Sequence, residues 1–192
     1  MKKSTLSLLA TAAVLACGGA YAQQQATQSR LYGELGYSHL DVTSRAGGVG
    51  VSAHPGILRG IVGYNAHPNI AVEGMLGFGV RDGEFSGTAL GVPFNGDMSV
   101  RRMAGLFVKP KWQSANIELF GRFGWVHSRV RTTATALGVG ATQTESEGDA
   151  AYGLGVNYQF SPRAYAGLDL MRYHDKDNTK VDGVTLSVGT RW

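Results

Sequence analysis

The chain has 192 residues with 18 basic and 14 acidic side chains, and its net charge of +4 is too slight to argue for a nucleic-acid partner. Glycine, at 28 residues, is about twice its usual share, while only 5 prolines and no triplet period exclude a collagenous or proline-rich disordered chain. No stretch is apolar enough for the roughly 20-residue helix that spans a bilayer, so a membrane could be entered only as a closed barrel of strands.

Met1, Lys2 and Lys3 give a positive start, Leu6 to Ala16 form an apolar run, and Ala20, Tyr21 and Ala22 supply an A-x-A cleavage pattern. Residues 1–22 therefore read as a secretory signal peptide for the Sec pathway, and residues 23–192 as the exported domain. Cys17, the sole cysteine, lies inside the signal, which leaves the exported domain without a thiol to misoxidise. Acylation of Cys17 after cleavage at Ala16 is the rival reading. Leu15, bulky where lipidation signals carry a small residue, argues against it.

Beyond the signal the pattern has period two, the mark of strands with two unlike faces, and it recurs eight times. Leu31, Leu35 and Tyr37 oppose Glu34 and Gly36; Leu58, Val62 and Tyr64 oppose Arg59 and Gly63. From Asn69 to Arg81 one face carries Ile70, Val72, Gly74, Leu76, Phe78 and Val80, and the other Ala71, Glu73, Met75, Gly77, Gly79 and Arg81. Val100, Ala104, Leu106 and Val108 stand against Arg101, Gly105 and Lys109, and Ile117, Leu119, Phe123 and Trp125 against Glu118, Arg122 and Gly124. Tyr152, Leu154, Val156, Tyr158 and Phe160 oppose Gly153, Gly155 and Asn157. Ala166, Leu168 and Leu170 then oppose Gly167 and Asp169, and Val184, Leu186, Val188 and Trp192 oppose Thr185, Ser187, Gly189 and Arg191.

Each run is about the 9–11 residues that a tilted strand needs to cross a bilayer. The connections alternate in length. Short ones fall at Ala66–Pro68, Lys111–Ala115 and Ser161–Arg163, and longer polar ones at Thr43–Gly56, Asp82–Asp97 and Thr132–Gly148, with a modest one at Asp175–Asp182. Short turns on one side and long loops on the other make the pattern of an outer-membrane barrel. The expected fold is all-β, an eight-stranded antiparallel up-and-down transmembrane β-barrel.

Glycine decides which face looks outward. Gly36, Gly63, Gly77, Gly79, Gly105, Gly124, Gly153, Gly155, Gly167 and Gly189 all fall on the polar face. An eight-stranded barrel barely holds its own side chains, so inward positions must often be small, whereas in a soluble sandwich the same glycines would only weaken solvated strands. Glu34, Arg59, Glu73, Arg101, Lys109, Glu118, Arg122 and Asp169 are accordingly expected inside the barrel, where the two signs can pair. Outward aromatics form two expected girdles: Tyr64, Tyr158, Phe160 and Trp192 on the periplasmic side, and Tyr37, Phe78, Trp125 and Tyr152 on the outer side.

These residues resemble the transmembrane domain of the OmpA and OmpX group of small outer-membrane barrels over nearly the whole exported chain. Leu31-Tyr32-Gly33-Glu34-Leu35-Gly36-Tyr37 is laid out like the family's opening strand, with an acid where OmpA has a lysine. Gly63-Tyr64-Asn65, Pro68 and Glu73 resemble the second hairpin with its inward glutamate. Phe120-Gly121-Arg122-Phe123-Gly124 resembles the fifth strand with its inward arginine, and Gly155-Val156-Asn157-Tyr158 before Ser161-Pro162 the last periplasmic turn. Asn157 and Gly167 depart from the family's interior acid and arginine, so its gating pair is not carried over. No peptidoglycan-binding domain follows the barrel within this sequence. The ending, Trp192 with Val188 and Leu186 at alternate positions, resembles the signal read by the barrel-assembly machinery.

The resemblance implies a monomer in the outer membrane of a Gram-negative bacterium, in contact with outer-membrane lipid and lipopolysaccharide, and with a host or other surface ligand at its loops. No cofactor or metal is expected. His127-Ser128 and His174-Asp175 are the residues an acyl-transferring barrel enzyme would use, but neighbours in a strand point to opposite faces. Gly47-Gly48-Val49-Gly50 and Gly138-Val139-Gly140 lack the strand-to-helix setting of a phosphate loop. His54 and His67 belong to turns on opposite sides of the membrane, and His39 to the rim. The leading reading is a structural or surface-contact barrel; a narrow pore past Arg101, Arg122 and Glu73 is the alternative.

Overall fold

The computed structural model describes residues 30–46, 49–89, 92–136, 139–176 and 179–192. The signal peptide assigned to residues 1–22 and the loop tips at 47–48, 90–91, 137–138 and 177–178 lie outside the described residues. The strands are β1 (Leu31–Ala46), β2 (Val49–Ala53), β3 (Gly56–His67), β4 (Ile70–Arg81), β5 (Gly83–Ala89), β6 (Val92–Ser114), β7 (Ile117–Ala136), β8 (Val139–Gln159), β9 (Ala164–Lys176) and β10 (Thr179–Arg191).

Eight of these strands form a ring. Sequential antiparallel pairing runs β1-β3-β4-β6-β7-β8-β9-β10, and β10 returns to β1 with Tyr32 opposite Arg191 and Ser44 opposite Thr179. The closure leaves the ring without an edge, which is what the hydrocarbon demands, because an unpaired backbone amide there costs several kcal/mol. The periplasmic turns are tight: Pro68-Asn69 joins β3 to β4, and Ala115-Asn116 joins Ser114 to Ile117 with Ala115 held at φ 50°.

The two faces are as different as the alternation implied. Leu35, Val62, Leu76, Leu106, Leu154, Leu186 and Val188 are exposed on the outside, and all eight girdle aromatics are exposed with them. On the inside, several glycines are sockets for rings. A side chain at Gly63 would overlap the Tyr32 ring, and one at Gly189 the Tyr165 ring. These two glycines make room for specific aromatics, whereas Gly36, Gly124 and Gly153 lie against neighbouring backbone and non-aromatic side chains.

At the extracellular end the structure departs from the expected polar loops. β2 folds back on β1, β5 pairs with the start of β6, and β7 and β8 run together from Ile117–Tyr158 up to Ala136–Val139. With 20 residues, β7 is about twice the length that hydrocarbon needs, so the outer connections are a collar of continuous β-ladder. Thr132, Thr133, Thr135, Thr142 and Thr144 explain why: β-branched side chains favour extended backbone even where both faces meet water. The fold yields one sharp prediction. Gly124 sits where a Cβ would overlap the Leu106 carbonyl, whereas Gly74 has open space on the lipid side. Gly124→Val should therefore abolish heat-modifiable migration on gels, and Gly74→Val should leave it intact; equal behaviour of the two would contradict the register.

Candidate functional site

Inside the periplasmic half of the ring lies one connected set of charges. Arg122 on β7 donates through Nε to Glu73 on β4 at 2.6 Å, through Nη1 to Asp169 on β9 at 2.8 Å, and through Nη2 to Glu34 on β1 at 3.0 Å. Arg59 on β3 reaches Asp169 and, at 3.2 Å, Glu34, while its Nη1 donates to the Tyr173 hydroxyl at 3.0 Å. Lys109 on β6 bridges Glu118 at 3.1 Å and Glu73 at 3.6 Å, with its ammonium 4.1 Å from the centre of the Phe120 ring. Glu118 also accepts from Asn157 on β8 and Arg191 on β10, at 2.8 and 3.0 Å. Tyr32 donates to Glu73 at 2.6 Å.

The burial of these groups is what makes the pairing obligatory. Arg59, Arg122, Lys109, Glu73 and Asp169 are almost wholly buried, and Glu34 and Glu118 nearly so. An isolated charge in such a place costs several kcal/mol, which excellent geometry and mutual attraction must offset. Among the described residues the buried polar atoms without a partner are Arg59 Nε, Asn157 Oδ1 and Ser187 Oγ.

Seven of the eight charges expected inside the barrel lie there. Arg101 does not: it is exposed, and a register shift between Val100 and Arg102 is the reason. Val100 pairs with Val130 and Arg102 with Arg129, so Arg101 is an extra residue, a β-bulge that breaks strict alternation. Val100, expected outside with Ala104 and Leu106, consequently turns inward. Sequence alternation also missed the inward aromatics Tyr32, Tyr165 and Tyr173. It placed Met75 on the inward face but missed the rest of the apolar layer above the charges, where Leu40, Ile57, Met103, Val126 and Met171 join it to fill the ring.

The bulge changes the outer rim. It leaves Arg102 directly across from Arg129 on the outward face, with Arg101 beside them and Arg131 two residues above, all exposed. Trp125 of the outer girdle is four residues below Arg129 on the same face of β7.

The histidine pairs singled out as enzyme candidates are not assembled as neighbours. His127 is exposed on the outer face, while Ser128 faces inward. His174 instead meets Asp149 at 3.0 Å, with Lys176 on the same carboxylate at 2.7 Å, and Asp175 accepts from Arg172. No hydrogen bond joins Ser128 to His174 among the described residues. His39 and His54 stack at 5.8 Å on the rim, with Asp41 3.9 Å from His54.

The family of the outer membrane protein beta-barrel domain matches residues 10–191. This chain belongs to that outer-membrane family. Its place is the outer membrane. Solved structures with a similar barrel include Ail, the attachment invasion locus protein of Yersinia pestis, at 16% identity, covering 86% of this chain and 100% of that one with a TM-score of 0.59. OprG of Pseudomonas aeruginosa follows at 11% identity, 88% and 99% coverage and 0.57, and the Neisserial surface protein A at 15% identity, 84% and 97% coverage and 0.53. No curated protein sequence matches. At these identities the likeness to solved structures is one of fold.

For this outer-membrane barrel, Arg122→Met removes the cation shared by three buried carboxylates and leaves Arg59 alone to match Glu34 and Asp169, and Lys109 to match Glu73. It should lower stability in lipid vesicles by about 3–5 kcal/mol, read from tryptophan fluorescence during urea unfolding. Adding Glu73→Met should recover part of the loss by removing one carboxylate from the resulting excess of buried negative charge. A single-variant loss below about 1 kcal/mol would contradict the network's role.

Proposed function

We propose that this chain is a non-enzymatic surface-contact barrel: it is sealed inside, and its extracellular collar holds lipopolysaccharide and presents a face to ligands outside the cell. The observation that carries the reading is the arginine cluster at the rim. Arg102 and Arg129 are directly opposed across adjacent strands, a placement that destabilises a sheet by like-charge repulsion. Neither has an ion-pair partner among the described residues, and Arg101 and Arg131 add to the same positive field. A polyanion lying across them reverses the sign of that energy, and guanidinium matches phosphate in bidentate geometry. Lipid A phosphates of an outer leaflet would meet the cluster here, just above Trp125 of the outer girdle.

The Yersinia pestis protein Ail has been crystallised with the heparin analogue sucrose octasulfate; a sulfated polyanion is the class of external ligand that the arginine cluster here would also suit. The interior supports the sealed reading over the pore, because the charge network and the apolar layer above it occupy the path between the two mouths. Export by the Sec pathway and insertion as a monomer belong to the same proposal. So does recognition by the assembly machinery, supported by the outward row of Trp192, Val188 and Leu186 on the closing strand and just beyond it.

Two measurements test the proposal. Arg102→Ser/Arg129→Ser should weaken binding of bisphosphorylated lipid A about tenfold, the equivalent of about 1.4 kcal/mol, while lipid A stripped of phosphate should not distinguish variant from wild type. Unchanged affinity for the phosphorylated form would contradict it. In planar bilayers the protein should be electrically silent; a steady conductance abolished by Arg122→Met would favour the pore.

A further inference from the structure

Above the apolar layer the ring is not filled. The upward continuation of the strands encloses a cavity of about 350 Å³, within the usual span of small-ligand pockets, about 300–1,000 Å³. Its floor is apolar: Leu40, Met103, Val126 and Tyr173 are each nearly wholly buried there. Val130 and Val181 continue the apolar lining upward.

The lip is acidic on one side. Glu145, Glu147 and Asp149 fall at alternate positions of β8 and so share its inward face. Asp149 is matched by Lys176 at 2.7 Å and His174 at 3.0 Å. Among the described residues Glu147 has only His174 as an ion-pair partner, at 3.9 Å, and Glu145 accepts a neutral hydrogen bond from Gln143 at 2.6 Å. Among the described residues the lip therefore holds three carboxylates against Lys176 and His174, and Glu145 and Glu147 are water-accessible.

We propose that this vestibule is a binding site for a small amphipathic amine, with its apolar body on the Leu40, Met103 and Tyr173 floor and its ammonium at Glu145 and Glu147. The two halves of the cavity select for both parts of such a molecule. An apolar body displaces poorly held water from the floor, and an ammonium at the lip gains charge-assisted hydrogen bonds. A neutral apolar compound gains only the first, and an anion is repelled. The site lies inside the ring, separate from the outward arginines on which the surface-contact reading rests, so either can fail without the other.

The test uses the protein in phosphatidylcholine nanodiscs and dansylcadaverine as probe, a naphthalene carrying a primary ammonium, followed by fluorescence anisotropy. Wild type should bind it saturably above the empty-disc background. Glu145→Gln/Glu147→Gln should weaken binding about tenfold, and N-acetylated dansylcadaverine, which has no charge, should bind wild type as weakly. Met103→Trp should fill the floor and abolish binding; if that variant fails to show heat-modifiable migration, the comparison of charged and acetylated probe on wild type decides. Non-saturable uptake equal to that of empty discs would overturn the proposal. So would wild-type affinity retained both by the double glutamine variant and by the acetylated probe.

Discussion

The barrel depends on one connected set of buried charges. Glu34 on β1, Arg59 on β3, Glu73 on β4, Lys109 on β6, Arg122 and Glu118 on β7, Asn157 on β8, Asp169 on β9 and Arg191 on β10 are joined by hydrogen bonds or ion pairs. Every strand of the ring thus contributes at least one member. Because a partner lost from a buried pair costs far more than the pair itself yields, a slipped or open ring would strand several charges together. In the native register every charged member of the network meets at least one opposite charge.

That constraint sets the rest of the interior. Rings such as Tyr32 and Tyr165 reach the network only because Gly63 and Gly189 leave room across the strand, so glycine content and charge pairing are two sides of one packing solution. Tyr173 links the levels, accepting from Arg59 below while forming part of the vestibule floor above. With the periplasmic half closed by charge and the middle closed by Leu40, Met103 and their neighbours, chemistry with the outside world is left to the extracellular third. There the ladder outruns the membrane and carries arginines outward and carboxylates inward.

Much of this was legible in the sequence, for physical reasons that also explain the misses. Period two fixed the lipid face at Leu35, Leu76, Leu106 and Leu186, and placed seven of the eight inward charges, because one face had to be apolar and the other could not be. Arg101 escaped because the bulge leaves as its mark in the sequence the doubled arginine Arg101-Arg102, a break in alternation that only the pairing of Arg102 with Arg129 resolves. The collar escaped because both of its faces are polar, so it carries no amphipathic signal, only a density of threonine. Most of the inward apolar layer was hidden for the opposite reason: Met103 lies in phase with charged residues, and alternation alone cannot tell an interior methionine from a surface one.

The central claim is that β6 and its fellows present apolar side chains to lipid and close around a filled interior, with the phase reversed at Arg101. Since the sole cysteine lies in the predicted signal, nitroxide labels can be placed singly at positions 100–108 in the exported domain and their accessibility to oxygen, which concentrates in lipid, measured in vesicles. Labels at Ala104, Leu106 and Val108 should be accessible and those at Val100, Met103 and Phe107 protected, with the alternation broken at Arg101. Unbroken alternation from 100 to 108, or equal accessibility along the strand, would contradict the account.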